Sequence, residues 1–536
     1  MAVPAAFLGC LFAWPVVAIV ATGLRSRAGG WDVRGALDTL VEPATRSVLR
    51  FTLVQALAST VVTLVVALPA AWVLGRIDFR GKAAYRVAVT VPFVLPTVVV
   101  SAAMLALVGP RGALVGVARL DDTLTVIVVA HAFFNYAVVA RVVGSQWGQL
   151  DPRAEEAARA LGAGRMRVLA TITLPRLRAA IASAAVLTFL FCFTSYGVIV
   201  LLGDQDQATL ETAIARVTTT STDRSAAAAL ALLQLAVVAT LLTVEARLRD
   251  RRAIAHGQVP ERLALHRPRS RGERAAVAGV LVSTALFLGT PIAVLAERSF
   301  RVGDGYGLAW YRALGEPGGR ASTLFVSPWD AIGTSILYAT AAAAIAVVVG
   351  GVAAIAVAAR QDRLGRTADT LLALPLGASA VTIGLGFLVA LDAPPLDLRD
   401  SAVLVPLAHA LVGVPFVVRA VVPALRGVDP RLRQAAAVLG SPPWRVFRDI
   451  DLTLARRSVL AAAGFAFAVS LGEFGATSIL ARAERPTVTV AIERLLGQPG
   501  AASFGQAAAM SVVLLVLTAA AILAVDRGRV GAATTF

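Results

Sequence analysis

Long apolar runs alternate with short polar, arginine-rich segments along the whole chain. Runs of the ~20 apolar residues that a helix needs to cross a bilayer centre on residues 3–23, 49–75, 85–108, 123–143, 179–202 and 225–246. A second set centres on 275–295, 329–359, 368–391, 401–421, 457–481 and 504–525. The pattern predicts an all-α polytopic membrane protein with about twelve transmembrane helices, as two fused six-helix repeats. Residues 247–274 are too polar to span: they carry Pro260, Pro268 and Arg247, Arg249, Arg251, Arg252, Arg262, Arg267, Arg269, Arg271 and Arg274. This segment reads as a cytoplasmic basic linker between a first repeat over 1–246 and a second over 275–536. The longest outer loops are 24–47 and 296–328, the latter broken by Gly303, Gly305, Gly307, Pro317, Gly318 and Gly319. Neither is long enough for a domain, so extracytoplasmic recognition must come from another polypeptide.

The two halves are related by a parallel duplication at an offset of 278 residues. A 25-residue polar segment occurs twice: Asp151-Pro152-Arg153, Glu156-Ala157-Ala158, Leu161-Gly162, Ile172, Leu174 and Pro175 correspond to Asp429-Pro430-Arg431, Gln434-Ala435-Ala436, Leu439-Gly440, Ile450, Leu452 and Thr453. The register holds for His131 with His409, Arg141 with Arg419, Gly197 with Gly475, Thr209 with Thr487 and Arg216 with Arg494. Within each copy, helix-forming residues lead to Gly162 or Gly440. A further apolar pattern follows, which Pro175 is expected to stop in the first copy. This spacing predicts a helix, a glycine-permitted turn and a second short helix, an elbow that projects a compact surface from the membrane.

Composition agrees: 57% of residues are hydrophobic and the mean hydropathy is +0.76, far above a soluble domain. With the N-terminus inside, about 33 of the 50 basic residues fall on the cytoplasmic side and about 16 outside. Both termini and both elbows are then cytoplasmic. A pI of 11.2 could suggest nucleic acid, but the charge lies between spans and marks topology against an anionic leaflet, so no nucleic-acid partner is expected. All basic residues but Lys82 are arginine, a bias of coding rather than chemistry. Cys10 and Cys192 both fall within spans, which excludes a disulfide framework or thiolate metal site. Phe7-Leu8-Gly9-Cys10 faintly resembles a lipoprotein cleavage box, yet no basic region precedes it and the apolar run continues, so an uncleaved first span is expected.

At the repeated elbow the chain resembles the permease subunits of type I binding-protein-dependent ABC importers. Their loop reads Glu-Ala-Ala, three residues, Gly, nine residues, Ile, one residue, Leu-Pro, and Glu156-Ala157-Ala158, Gly162, Ile172 and Leu174-Pro175 match throughout. The resemblance implies that the elbow is a coupling helix seated in a groove of an ATPase subunit. It further implies two copies of that subunit, an extracytoplasmic solute-binding protein, a small-molecule substrate, a cytoplasmic-membrane location and no cofactor. The second copy departs from the pattern with Gln434 for Glu and Thr453 for Pro, while Ala435, Ala436 and Gly440 are kept. The two loops are therefore expected to dock unequally. The chain has no ATP-binding loop of its own, since its only lysine sits in Gly81-Lys82-Ala83 with Arg76 at the leading position. Energy must come from a partner.

Polar groups inside spans are costly and so are functional candidates. They are Glu473, which follows Ser470-Leu471-Gly472 and precedes Phe474-Gly475, its repeat mates Ser195-Tyr196-Gly197, and His131, Asn135 and Tyr136. Glu473 could face a cationic substrate with Tyr196 and Phe474 as aromatic walls, or pair with Arg482 or Arg485 near the outer interface. His131 and His409 read as interhelical hydrogen-bonding groups rather than metal ligands. Ala208 to Ile214, Ala226 to Gln234 and Ser470 to Gly475 resemble the fused permeases of thiamine importers, and the ferric-iron permeases share the fused plan. Thiamine, a cation with two aromatic rings, suits Glu473, Tyr196 and Phe474. Iron would need oxygen ligands, and few embedded carboxylates are present. An ion-coupled secondary transporter can also be built from parallel repeats, but it needs no paired elbows. A membrane enzyme would need an acid-base or metal cluster, and none is apparent.

Overall fold

A computed structural model of the protein describes residues 2–25, 30, 32–115, 123–204, 206–220, 224–254, 265–268, 270–316, 324–360, 362–392, 397–399 and 401–527. Pro260, Arg262, Arg269, Pro317, Gly318 and Gly319 lie outside them. Among the described residues ten helices are long and apolar enough to cross a membrane, and a bent pair makes an eleventh. In the first half these are α1 (Ala2–Gly23), α2 (Pro43–Arg76), the pair α3 (Lys82–Val94) and α4 (Thr97–Val108), α5 (Leu124–Gly148), then, after the short α6 (Arg153–Ala160), α7 (Arg165–Phe193). Two short helices, α8 (Gly197–Leu202) and α9 (Leu210–Thr220), precede α10 (Arg224–Ile254). The second half repeats the order with α11 (Arg271–Phe300), α12 (Pro328–Ala358), α13 (Arg363–Ala373), α14 (Ala380–Ala390), α15 (Leu404–Arg426), α16 (Pro430–Val438), α17 (Pro443–Gly472), α18 (Gly475–Leu480), α19 (Val488–Leu496) and α20 (Ala501–Arg527). The only strands among the described residues form a two-residue hairpin, Arg301–Val302 with Gly305–Tyr306, directly after α11.

The third apolar run of each half is corrected from one helix to two. Over 85–108 the chain bends by 99° between α3 and α4. Leu95 is extended there (φ −65°, ψ 141°) because the ring of Pro96 disfavours the helical conformation in the residue before it. Over 368–391 a tight turn, Leu374–Gly377, holds Pro375 and separates α13 from α14. Ser379 Oγ then accepts the Thr382 amide at 3.0 Å and restarts the helix. The expected spans 179–202 and 457–481 are interrupted too. They break at Thr194–Tyr196 and at Glu473–Phe474, where α8 and α18 begin afresh.

A third correction concerns Pro175, which does not stop the elbow's second helix. That helix runs on as α7 through a π-helical turn, Leu169–Thr173, ahead of the proline. The wider turn moves carbonyls out of the ring's way. Phe447–Leu452 is the same turn in the second half, where Thr453 replaces the proline, so the turn belongs to the duplicated backbone rather than to proline.

Each first span packs on its own half and also reaches across to the other. Ile19 of α1 lies with Leu210 and Ala227 of the first half, while other residues of α1 and of α11 cross the seam. Leu11 of α1 packs with Tyr338, Phe387 and Leu411 of the second half, and the Trp14 indole N–H donates to Ala390 O at 3.3 Å. Leu288 of α11 lies in the core formed by Ala67, Met104 and Phe133. Thr284 of the same helix bonds Tyr136 Oη at 2.7 Å and Tyr85 Oη at 3.0 Å. The end of the linker is fixed to the first half, with the Asp78 amide donating to His266 O at 2.9 Å and the His266 amide to Arg76 O at 3.0 Å.

Small residues permit these close crossings, because lipid supplies no hydrophobic drive between helices and packing must hold them. A Cβ on Gly75 of α2 would lie 2.6 Å from Gly144 O and 2.8 Å from Trp147 Cβ of α5. Gly75→Ala is therefore expected to push α2 off α5 at a cost of about 1–3 kcal/mol. A melting temperature in detergent equal to wild type would show that the crossing tolerates a methyl group.

Candidate functional site

The two elbows have the same backbone. Asp151 Oδ1 accepts the Arg153 amide and Asp429 Oδ1 the Arg431 amide, both at 2.9 Å. At the far end Gly162 (φ +87°) and Gly440 (φ +79°) take the left-handed conformation. The Ala163 amide reaches back to Ala158 O, and the Ser441 amide to Ala436 O, each at 3.0 Å. These are matching helix stops that glycine makes without strain. Glu156 and Ala157 are exposed with Ala158 half-buried, Gln434 and Ala435 are exposed with Ala436 half-buried, and Pro175 is exposed. Neither α6 nor α16 buries a residue.

The elbow tips are apolar and fully presented. Leu161 is 89% exposed, Met166 75%, Val438 87%, Leu439 85% and Trp444 57%. Leu161 and Leu439, and Met166 and Trp444, are repeat mates at the offset of 278. The guanidinium of Arg448 lies 4.9 Å from the Trp444 ring centre and that of Arg445 5.6 Å. Arg448 also hydrogen-bonds Asp449 at 2.7 Å. The sequence reading had Leu161 and Leu439 within its repeat but did not mark them, or Trp444, as exposed contact residues.

The second candidate region is the seam between repeats. Tyr196 and Phe474, mates at the same offset, meet across it with ring centres 5.3 Å apart and planes tilted by 30°. Gly197 permits the contact, since a Cβ there would lie 2.6 Å from Thr97 Oγ1 and 3.1 Å from Phe474 Cδ1. Beside Tyr196 opens a cavity of about 270 Å³ lined also by Ile199, Asp204, Thr212 and Arg216.

Behind each aromatic residue a histidine closes the break in the fifth span. His131 Nδ1 bonds Ser59 Oγ at 3.1 Å and Nε2 bonds Ser195 Oγ at 2.8 Å. His409 Nδ1 bonds Ser470 Oγ at 2.7 Å, and its Nε2 lies 2.8 Å from Thr477 Oγ1 and 3.0 Å from Glu473 Oε2. Ser195 and Glu473 are repeat mates, so one histidine contact is retained with a hydroxyl in one half and a carboxylate in the other. Glu473 also accepts the Ala476 amide at 2.9 Å, the Thr477 amide at 3.0 Å and Thr477 Oγ1 at 2.6 Å. Its oxygens are taken up inside the second repeat as the cap of α18. It pairs with neither Arg482, which donates to Arg399 O, nor Arg485. Asn135 is not brought to the seam, for it donates to His131 O at 3.0 Å and approaches Cys192 Sγ. A buried bond that the sequence did not announce joins Gln234 Nε2 to Glu211 Oε1 at 2.6 Å.

Residues 44–254 match the family described as binding-protein-dependent transport system inner membrane component. The thiamine transport system permease protein ThiP of Brucella abortus (strain 2308) is 27% identical over 531 residues, 95% of this chain and 92% of its own length. ThiP of Escherichia coli (strain K12) is 26% identical over 466 residues, 84% of this chain and 83% of that protein. The putative 2-aminoethylphosphonate transport system permease protein PhnV of Salmonella typhimurium (strain LT2) is 27% identical over 265 residues, 48% of this chain and 95% of its own.

The geometry makes Glu473 a cap whose loss exposes buried donors. Glu473→Leu is expected to destabilise the protein by about 1–3 kcal/mol, while Glu473→Ser, which installs the residue of the first repeat, recovers part of the loss through its contact with His409. Thermal unfolding of the two variants in detergent checks this, and equal losses would deny the repeat equivalence of the histidine contact.

Proposed function

We propose that the chain, a multi-pass membrane protein, is a permease subunit of a binding-protein-dependent ABC importer that passes thiamine from an extracytoplasmic binding protein to the cytoplasm. Two copies of an ATPase subunit drive it, one on each elbow, and both termini are cytoplasmic. The observation that carries the coupling role is the pair of matched elbows, each a helix ended by a left-handed glycine with bare apolar side chains at its tip. Monomeric proteins leave few large apolar side chains grouped in the open, and such groups mark interaction sites. The first elbow offers Glu156 to its partner; the second offers Gln434 and the broad face of Trp444.

The thiamine reading is supported by the full-length relatives named for that substrate and by the seam. Tyr196 and Phe474 close the space between the halves, and Tyr196 is also the one aromatic wall of the cavity beside it. When the halves part, the two rings become facing walls for a cation with aromatic rings. Glu473, held behind the wall, sets the position of the Phe474 backbone rather than meeting the cargo in the closed state. Affinity resides in the binding protein, so the permease needs only a weak site that releases its cargo.

Reconstitution with the cognate ATPase and binding protein, with radiolabelled thiamine and ATP hydrolysis measured together, tests the reading. Uptake is expected only when all partners are present. Transport by the chain alone, or uptake of ferric iron in place of thiamine, would overturn it. Glu156→Ala is expected to weaken copurification of the ATPase about tenfold, with a smaller loss in Gln434→Ala. Gly162→Val, whose side chain meets no neighbour but forces a strained backbone, is expected to abolish uptake with membrane insertion intact.

A further inference from the structure

Each elbow is tied to the end of the span before it by one guanidinium that bridges a carboxylate and a backbone carbonyl. In the first half Arg76, at the end of α2, donates through Nη2 to Glu155 Oε1 of α6 at 2.8 Å and through Nη1 to Leu150 O at 3.1 Å. Thr173 Oγ1 donates to the same Glu155 oxygen at 2.9 Å. The Arg76 side chain is 5% exposed and that of Glu155 14%. In the second half Arg433 of α16 donates through Nε to Asp451 Oδ1 at 2.8 Å and through Nη2 to Leu425 O at 2.9 Å. Position 155 corresponds to 433 and position 173 to 451. The same two backbone sites are thus joined in both halves, with the elbow contributing the acid in one and the base in the other.

A duplication that merely preserved surface charge would not exchange the sign at one site and compensate at its partner. The carbonyls that receive the guanidinium sit where the fourth span ends, at the negative pole of a helix whose last acceptors lack intrahelical partners. The bridge therefore locks three pieces together: the elbow, the end of the fourth span and the π-helical entrance of the fifth. We propose that these bridges are straps that make each elbow move as one body with its spans, so that Arg76, Glu155 and Thr173 in one half, and Arg433 and Asp451 in the other, are positioning residues for energy coupling. This rests on the permease reading above. The residues touch neither cargo nor the exposed elbow tip; they act by keeping a displacement of the tip from being absorbed in the loop.

Two experiments test the straps. The first needs no partner or cargo. Spin labels are placed at Leu161→Cys and Ser145→Cys of the full chain in nanodiscs, with Cys10 and Cys192 replaced by serine. Glu155→Gln is expected to broaden the distance distribution about twofold, and an unchanged distribution would overturn the proposal. The second uses the complex with its ATPase and binding protein. Glu155→Gln is expected to lower thiamine imported per ATP hydrolysed about tenfold while the ATPase still copurifies. A purely structural role would lower uptake and hydrolysis in parallel. Glu155→Arg is expected to uncouple further, and Glu155→Arg with Thr173→Asp and Arg76→Ala, which transplants the second-half set with Ala354 as the mate of Arg76, to restore the ratio to within about threefold of wild type. A triple variant no better than Glu155→Arg would overturn the proposal. If the wild-type complex neither assembles nor imports thiamine, the permease reading fails, and the spin-label result still decides the straps.

Discussion

Inside a bilayer every backbone amide and carbonyl must find a partner within the protein, because lipid offers none. This chain nevertheless breaks its third and fifth spans in both halves, and the architecture depends on how those breaks are closed. In the fifth spans the closure is made by a histidine from the fourth span together with the side chain at the break, Ser195 or Glu473. The breaks turn Tyr196 and Phe474 toward each other. A continuous helix would have carried the two residues past the seam on its own surface. Closing the break with side chains that can rearrange, rather than with helix geometry, leaves a junction where the two halves can part.

Duplication supplied two equivalent frames, and divergence then worked on side chains within them. The left-handed glycines, the π-helical turns and the exposed leucines are common to both elbows. What differs is the side chain at each polar position: Ser195 against Glu473 at the break, Glu155 against Arg433 at the base of the elbow, Glu156 against Gln434 on its exposed face. Backbone geometry is costly to alter, since a changed turn moves everything beyond it. A hydrogen bond can be remade with other groups at the same distance. The first spans, each packed on both halves, bind the two frames together.

The hydrophobic pattern, read alone, determined a polytopic helical protein. The offset of 278 determined two parallel repeats, and the elbow spacing, through the glycine it requires, determined both helical turns. These are local properties: a bilayer demands a certain run of apolar residues, and a left-handed residue demands glycine. Tertiary structure decided what depends on contacts distant in sequence. Hydropathy cannot see that Pro96 or Pro375 breaks a span, because an apolar run stays apolar when it bends. It cannot see that α1 and α11 pack across the seam, because hydropathy does not name a residue's partner. Glu473 was visible as an expensive carboxylate, yet its partner could be named only once His409 and the amides of α18 surrounded it. The straps were hidden for the same reason: Arg76 and Glu155 lie 79 positions apart, and an arginine beside a membrane reads as a topology signal until the fold shows which carbonyl and which carboxylate it holds.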